Sequence, residues 1–201
     1  MIEKTITITL TNGNEPNYSN EGKMVMRMNS SISPKTAVEM IRVIDNKINP
    51  REAKSGPITK AIFKTLEEEP ELFWLKSKGV VLATTKCEIV PEPNKVLLSF
   101  ENPEYEGIMD GGHNFLSIAN FITTKLLNTP LKTWKDCKTL WDSNYDEIMS
   151  AVETELSKPD NILNFSIPVE IIAPTDEEGA IDDYYKIIGG VCDNSAVSVP
   201  C

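Results

Sequence analysis

The segment Gly107-Ile108-Met109-Asp110-Gly111-Gly112-His113, followed by an apolar-periodic run from Asn114 to Leu127, narrows the folds open to this chain more than any other stretch. Gly107 to Asp110 reads as a short strand and the paired glycines as a sharp turn. The run from Gly112 to Leu127 reads as a helix, because its apolar residues recur at helical spacing. A strand that turns at once into a helix places that helix on a sheet.

The flanking segments repeat the same two periods. Lys4 to Leu10 alternates Thr and Ile, a half-buried strand, and Lys23 to Met28 alternates again across the Asn-, Gly- and Pro-rich stretch 11–22. These two strands are expected to pair as a hairpin. Ser33-Pro34 starts a helix, with Ser33 as N-cap and Pro34 in the first turn; that helix is expected to run to Asn49-Pro50. Gly56-Pro57 starts another, ending at Glu67-Glu68-Glu69-Pro70-Glu71, a solvated acidic helix end. Leu72 to Leu75 reads as a short buried element. Strands are expected at Val80–Thr85, Glu88–Val90 and Val96–Phe100. A weakly patterned connection follows over Leu131–Asp142, then a helix over Tyr145–Leu156. Phe165 to Ile172 is a continuous apolar strand interrupted by Pro168, which favours a sheet edge. Asp176 to Ile188 reads as a short acidic helix and Gly189-Gly190 as the start of a loop. The order implies an α+β fold, a mixed sheet with helices packed on it.

Composition excludes several classes. No stretch approaches the roughly 20 apolar residues of a membrane span, and no signal peptide opens the chain, so a cytoplasmic protein is expected. Cys87, Cys137, Cys192 and Cys201 are too widely spaced for a zinc site and read as free or buried thiols. The net charge of −10 is uneven: residues 1–100 hold 14 basic and 12 acidic side chains, residues 101–201 hold 6 and 18. Any nucleic-acid contact therefore falls to the first half, where Lys47, Arg51, Lys54, Lys60 and Lys64 are loosely grouped.

The glycine turn is the candidate site. Gly111 and Gly112 permit positive φ and close approach, and a helix start exposes unpaired N–H groups that favour phosphate or carboxylate. Gly111, Gly112, His113 and Asn114 are the candidate ligand-binding residues. His113, the chain's one histidine, can donate to an anion or exchange a proton. Asp110 can orient His113, bond a ribose hydroxyl or coordinate a magnesium ion. Asp110 and His113 are thus the candidate catalytic pair for a metal-dependent nuclease or nucleotide hydrolase, with Glu101, Glu106 and Asp193 as further carboxylates. In a third account the turn is only a helix cap, with Asp110 capping, in a protein-interaction module.

Two motif-bearing segments resemble a known family. Leu72-Phe73-Trp74-Leu75-Lys76-Ser77-Lys78-Gly79-Val80-Val81-Leu82-Ala83 is similar to the Phe-Trp-x-x-Asn-x-Gly-Ile-x-Ile-x-Ala stretch of abortive-infection phage-resistance (AIPR) proteins. Asn102-Pro103-Glu104-Tyr105-Glu106-Gly107-Ile108-Met109-Asp110-Gly111-Gly112-His113 resembles that family's Asn-Pro-x-x-x-Gly-Ile-x-Asp-Gly-Gly-His pattern, with Asn114 where Thr is common. Pro168–Ile172 and Asp193–Val199 look like its later strand and its Asn-Thr/Ser-x-x-Val segment, which adds Asn194 and Ser195 to the ligand-binding residues. The turn is also similar to the Asp-Gly-Gln-His-Arg motif of DndB-like proteins and, more distantly, to the ParB/sulfiredoxin-like fold; Asn114 stands where those motifs carry Arg.

The resemblance implies a ParB/sulfiredoxin-like core and a phage-defence role with a nucleotide or nucleic acid as partner. It covers residues 56–201 as an AIPR-like domain, which leaves residues 1–55 as the N-terminal hairpin and helix read above. The apolar, uncharged end suggests a longer polypeptide whose C-terminal remainder is a partner, and homo-oligomers are compatible with all of this.

Overall fold

The computed structural model describes residues 4–11, 17–18, 24–49 and 51–196; for residues 17–18 and 190–196 it describes the backbone alone. Its strands are β1 (Thr5–Thr9), β2 (Asn17–Tyr18), β3 (Val25–Ile32), β4 (Val80–Ala83), β5 (Lys86–Ile89), β6 (Lys95–Ser99), β7 (Gly107–Asp110) and β8 (Ile167–Pro174). Its helices are α1 (Pro34–Val43), α2 (Pro57–Glu68), α3 (Phe73–Lys76), α4 (Gly112–Leu127), α5 (Trp134–Leu156) and α6 (Ala180–Ala196), and a 3-10 turn, Pro70–Leu72, joins α2 to α3.

The strands form two sheets. One is antiparallel in the order β1-β6-β5; the other is mixed, in the order β2-β3-β8-β4-β7, with β4 parallel to β8 and every other pair antiparallel. The fold is α+β, as the element order implies. One apolar core unites both sheets with α1, α4 and α5. In α4, Phe115, Ile118, Ala119 and Ile122 recur at helical spacing and are all fully buried. Each such large side chain contributes about 1.5–3 kcal/mol by leaving water, so α4 is held by its apolar face. Its ends are set by Gly111 and by Asn128, both in left-handed backbone.

Several sequence expectations are corrected. The expected hairpin does not form: β1 pairs with β6 and β3 with β8, so the two alternating strands serve different sheets. Pro168 is not on a sheet edge, because β8 lies between β3 and β4. It is tolerated near the N-terminal end of β8, opposite Ser31 and one residue before β4 joins at Val80↔Val169. Of the expected buried element Leu72–Leu75, only Phe73 is buried, while Trp74 and Leu75 are exposed.

Residues 134–142 belong to α5. Thr133 and Asp136 form a reciprocal cap, and Trp134, Cys137 and Trp141 bury one face. The break falls at Asn144, where non-helical backbone kinks the helix. The helix α6 passes through Gly189-Gly190 instead of ending before them.

The helix α1 ends at Val43, well before Asn49. Ile44 turns extended, and the Lys138 ammonium donates to the carbonyls of Ile41 (2.8 Å), Arg42 (3.0 Å) and Ile44 (3.1 Å), completing the helix end. The chain beyond is therefore free to run as a loop along β7, which decides what stands beside the glycine turn.

Candidate functional site

The two motif segments of the sequence are one structural unit. β4 and β7 pair antiparallel, with Val81 opposite Asp110, Leu82 opposite Ile108 and Ala83 opposite Gly107, and a bulge falls between Val81 and Leu82. Gly111 follows β7 at φ 83°, and a Cβ there would lie 2.4 Å from the Gly79 carbonyl oxygen and 2.8 Å from Val80 Cα. Backbone thus meets backbone at this corner, and only glycine fits. Asn114 closes it, its side-chain amide donating to the Gly79 carbonyl. That bond ties the first turn of α4 to the start of β4.

The start of α4 carries no side-chain cap. Asp110 is exposed and its Oδ1 accepts the Gly111 N–H at 2.7 Å, one residue too early to cap the helix. The first intrahelical bond is Phe115 N–H to the Gly111 carbonyl at 3.1 Å. The N–H groups of Gly112, His113 and Asn114 have no acceptor among the described residues. Three aligned donors at a helix N-terminus carry a partial positive charge that favours an anion. His113 is half-buried in this turn, and its carbonyl accepts from Ser117 Oγ at 2.6 Å.

A third wall was missed from sequence. Beyond α1, the Asp45 carbonyl accepts the Ile108 N–H at 2.8 Å and so covers the outer edge of β7. The loop then reaches the turn. A Cβ on Gly112 would stand 3.5 Å from Ala53 Cβ and 3.6 Å from Asn49 Nδ2. Arg51 and Lys54 are exposed beside those contacts, so the basic stretch of the first half adjoins the glycine turn. The early end of α1, which the pattern Val38, Ile41, Ile44 conceals, is what brings it there.

On the other side a cleft of about 330 Å³ opens between α2, α3 and α4, with Ile62 and Phe73 in its wall and Lys76, Ser77, Lys78 and Asn114 along it. Lys76 pairs with Glu69, whereas Lys78 is exposed and has no ion-pair partner among the described residues.

The further carboxylate Glu106 is not part of this turn. Glu106 is buried at the other end of β7; its carboxylate accepts from the Thr85 N–H (2.8 Å), from the Thr85 hydroxyl and from the Asn102 N–H, a structural use of all its oxygens. Glu101 is exposed. Asp193, Asn194 and Ser195 continue α6 in backbone, and their side chains lie outside the described residues. Among the described residues no three His, Cys, Asp or Glu side chains converge as a metal site. The described cysteines are free; burial pushes the Cys87 thiol up to about 12 and raises that of Cys137 as well. Among the described residues no helix is long and apolar enough to cross a membrane.

Residues 47–136 match the family model described as AIPR protein. The matched range takes in both motif segments, the glycine turn and the loop that carries Asn49 and Ala53, and it stops before 168–172 and 193–199. No curated protein and no solved structure matches the chain.

Proposed function

With residues 47–136 an AIPR-family region, which associates the chain with phage defence, we propose that it binds the phosphate of a nucleotide or nucleic acid at the Asp110–His113 turn. The observation that carries this reading is the run of three consecutive donors, the Gly112, His113 and Asn114 N–H groups, with no acceptor among the described residues. A phosphate oxygen accepts from them, and the His113 imidazole adds a side-chain donor. Lys78 on one flank, with Arg51 and Lys54 on the other, supply the cations that an acidic chain must concentrate to hold phosphate. Asn194 and Ser195 are further donors to the same ligand.

The Asp110 carboxylate opposes a bare anion, so it takes part as a hydrogen-bond acceptor for a ribose hydroxyl or through magnesium carried in with the phosphate. Magnesium then binds with the nucleotide and only weakly without it. The reading is a binding function, and hydrolysis forms no part of it.

Calorimetric titration of the protein with nucleoside mono-, di- and triphosphates, with and without magnesium, tests this directly. Saturable binding that His113→Ala weakens and added salt weakens further is the expected result. Binding unaffected by His113→Ala, or none at millimolar nucleotide, refutes it.

A further inference from the structure

Away from the glycine turn, the sheet β1-β6-β5 has one edge that no described residue covers. The backbone bonds Phe100 N–H to Lys4 carbonyl (2.9 Å) and Leu10 N–H to Asn94 carbonyl (2.7 Å) lie in register with the β1–β6 pairing. Hydrogen-bonded and non-bonded pairs alternate in an antiparallel ladder. Lys4, Ile6, Ile8 and Leu10 therefore bond to β6, and Thr5, Thr7 and Thr9 aim their N–H and C=O groups outward. No described residue accepts from or donates to these outward groups.

Two of the other edges are blunted. β5 carries Lys86 and Glu88, paired at 3.0 Å; β7 is covered by the Asp45 carbonyl. β1 has neither a charge nor a proline within Thr5–Thr9.

Beside this edge lies a cleft of about 480 Å³, walled by Thr5, Ile6 and Thr7 on one side and by Glu39, Arg42 and Tyr145 on the other. The Arg42 guanidinium stands 4.5 Å from the centre of the Tyr145 ring and has no carboxylate partner among the described residues. Lys35, one turn earlier on α1, is already paired with Glu153 at 2.7 Å. The cleft thus joins a row of backbone donors and acceptors to an apolar wall that also carries Arg42 and Glu39, neither of them in an ion pair among the described residues.

We propose that this cleft binds an extended peptide segment of a partner protein, added to β1 as a fourth strand, with an acidic side chain on Arg42 and apolar side chains against Ile6 and the Tyr145 ring. Main-chain bonds to Thr5, Thr7 and Thr9 supply affinity, and the alternate side chains that enter the cleft supply selectivity. A second copy of this chain fits less well. The edge of β1 is only about 17 Å long, too short by itself to bury the roughly 1,200 Å² of a stable protein–protein interface. Residues of α1 also stand beside it, on the far wall of the cleft.

Selection of a random peptide library displayed on phage against the full chain tests the proposal. Enriched peptides are expected to alternate apolar residues and to carry an acid. Thr7→Pro removes an outward N–H that no described residue accepts, and is expected to weaken their binding at least about tenfold. Arg42→Gln is expected to remove the preference for the acid. Amide resonances of Thr5, Thr7 and Thr9 in the wild-type protein should shift on peptide addition, a readout independent of whether Thr7→Pro folds. No enriched peptide, peptides that leave those three amides unmoved, or self-association of the chain through β1 each overturns it.

Discussion

Replacing Gly111 by alanine tests the geometry of the turn, and two other glycines act as built-in controls. At φ 83° an alanine pays the left-handed backbone penalty, roughly 1–2 kcal/mol. Its Cβ also meets the Gly79 carbonyl oxygen at 2.4 Å and Val80 Cα at 2.8 Å, both backbone atoms that cannot rotate aside. Overpacking of this kind costs typically about 1–3 kcal/mol, which brings Gly111→Ala to about 2–5 kcal/mol. Gly179 has nearly the same φ, 84°, with nothing within 4 Å of its Cβ position, so Gly179→Ala isolates the backbone penalty alone. Gly112 has ordinary backbone, and its Cβ would make only van der Waals contact with Ala53 and Asn49. Gly112→Ala is therefore neutral or stabilising by about 0.4–1 kcal/mol.

Urea unfolding of the three variants measures the series, provided the m-values agree. The expected order of stability is Gly112→Ala, then Gly179→Ala, then Gly111→Ala. The last should melt roughly 5–15 °C below wild type for a chain of this size. If Gly111→Ala and Gly179→Ala were equally stable, the close approach of the turn to Gly79 and Val80 would be wrong. If Gly112→Ala fell with Gly111→Ala, the loop carrying Asn49 and Ala53 would be wrongly placed.

Other outcomes follow from the same contacts. Lys138→Met strips the carbonyls of Ile41, Arg42 and Ile44 of their donor, and thermal unfolding should show a loss of about 2–3 kcal/mol, reduced because burial already lowers the Lys138 pKa. In Asp136, hydrogen bonds from Thr133 hold the carboxyl below its ordinary value, so its contribution is present above about pH 4 and is lost as pH falls through the folded value. Asp136→Ala should cost about 1 kcal/mol at pH 7 and much less below pH 3, as read by unfolding at the two pH values. Cys87 and Cys137, held protonated by burial, should react with iodoacetamide at pH 8 far more slowly in the folded protein than in urea, by mass spectrometry.

What was legible in the sequence is local. Ser33-Pro34 starts α1 as read, because the Ser33 hydroxyl accepts the Thr36 N–H at 3.1 Å. α4 runs over the expected residues because its apolar spacing and its two ends agree. The missed start of α5 was signalled after all: Thr133 and Asp136 make a capping box, and Trp134, Cys137 and Trp141 share a helical face. Gly189 sits inside α6 without left-handed backbone, and a Cβ there would make only van der Waals contact with the Tyr105 ring, at 3.9 Å, so this glycine does not break the helix as its residue type suggests.

Strand partners were not legible. β1 alternates as cleanly as β3, but its partner β6 is some ninety residues away, whereas a hairpin with β3 was the nearest reading. Pro168 has the same origin, since an edge preference says nothing about where the next strand begins. The candidate site shows both sides of this. Gly111 and His113 were found from the turn itself, whereas Asn49 and Ala53 reach it through the loop that follows the early end of α1 at Val43.

The phosphate reading is tested most directly by amide resonances recorded during titration with a nucleoside triphosphate and magnesium. The account predicts saturable shifts centred on Gly112, His113 and Asn114, with smaller ones at Asn49 and Lys78, all diminished by salt. Shifts confined to other parts of the protein, or none at these three amides, would contradict it.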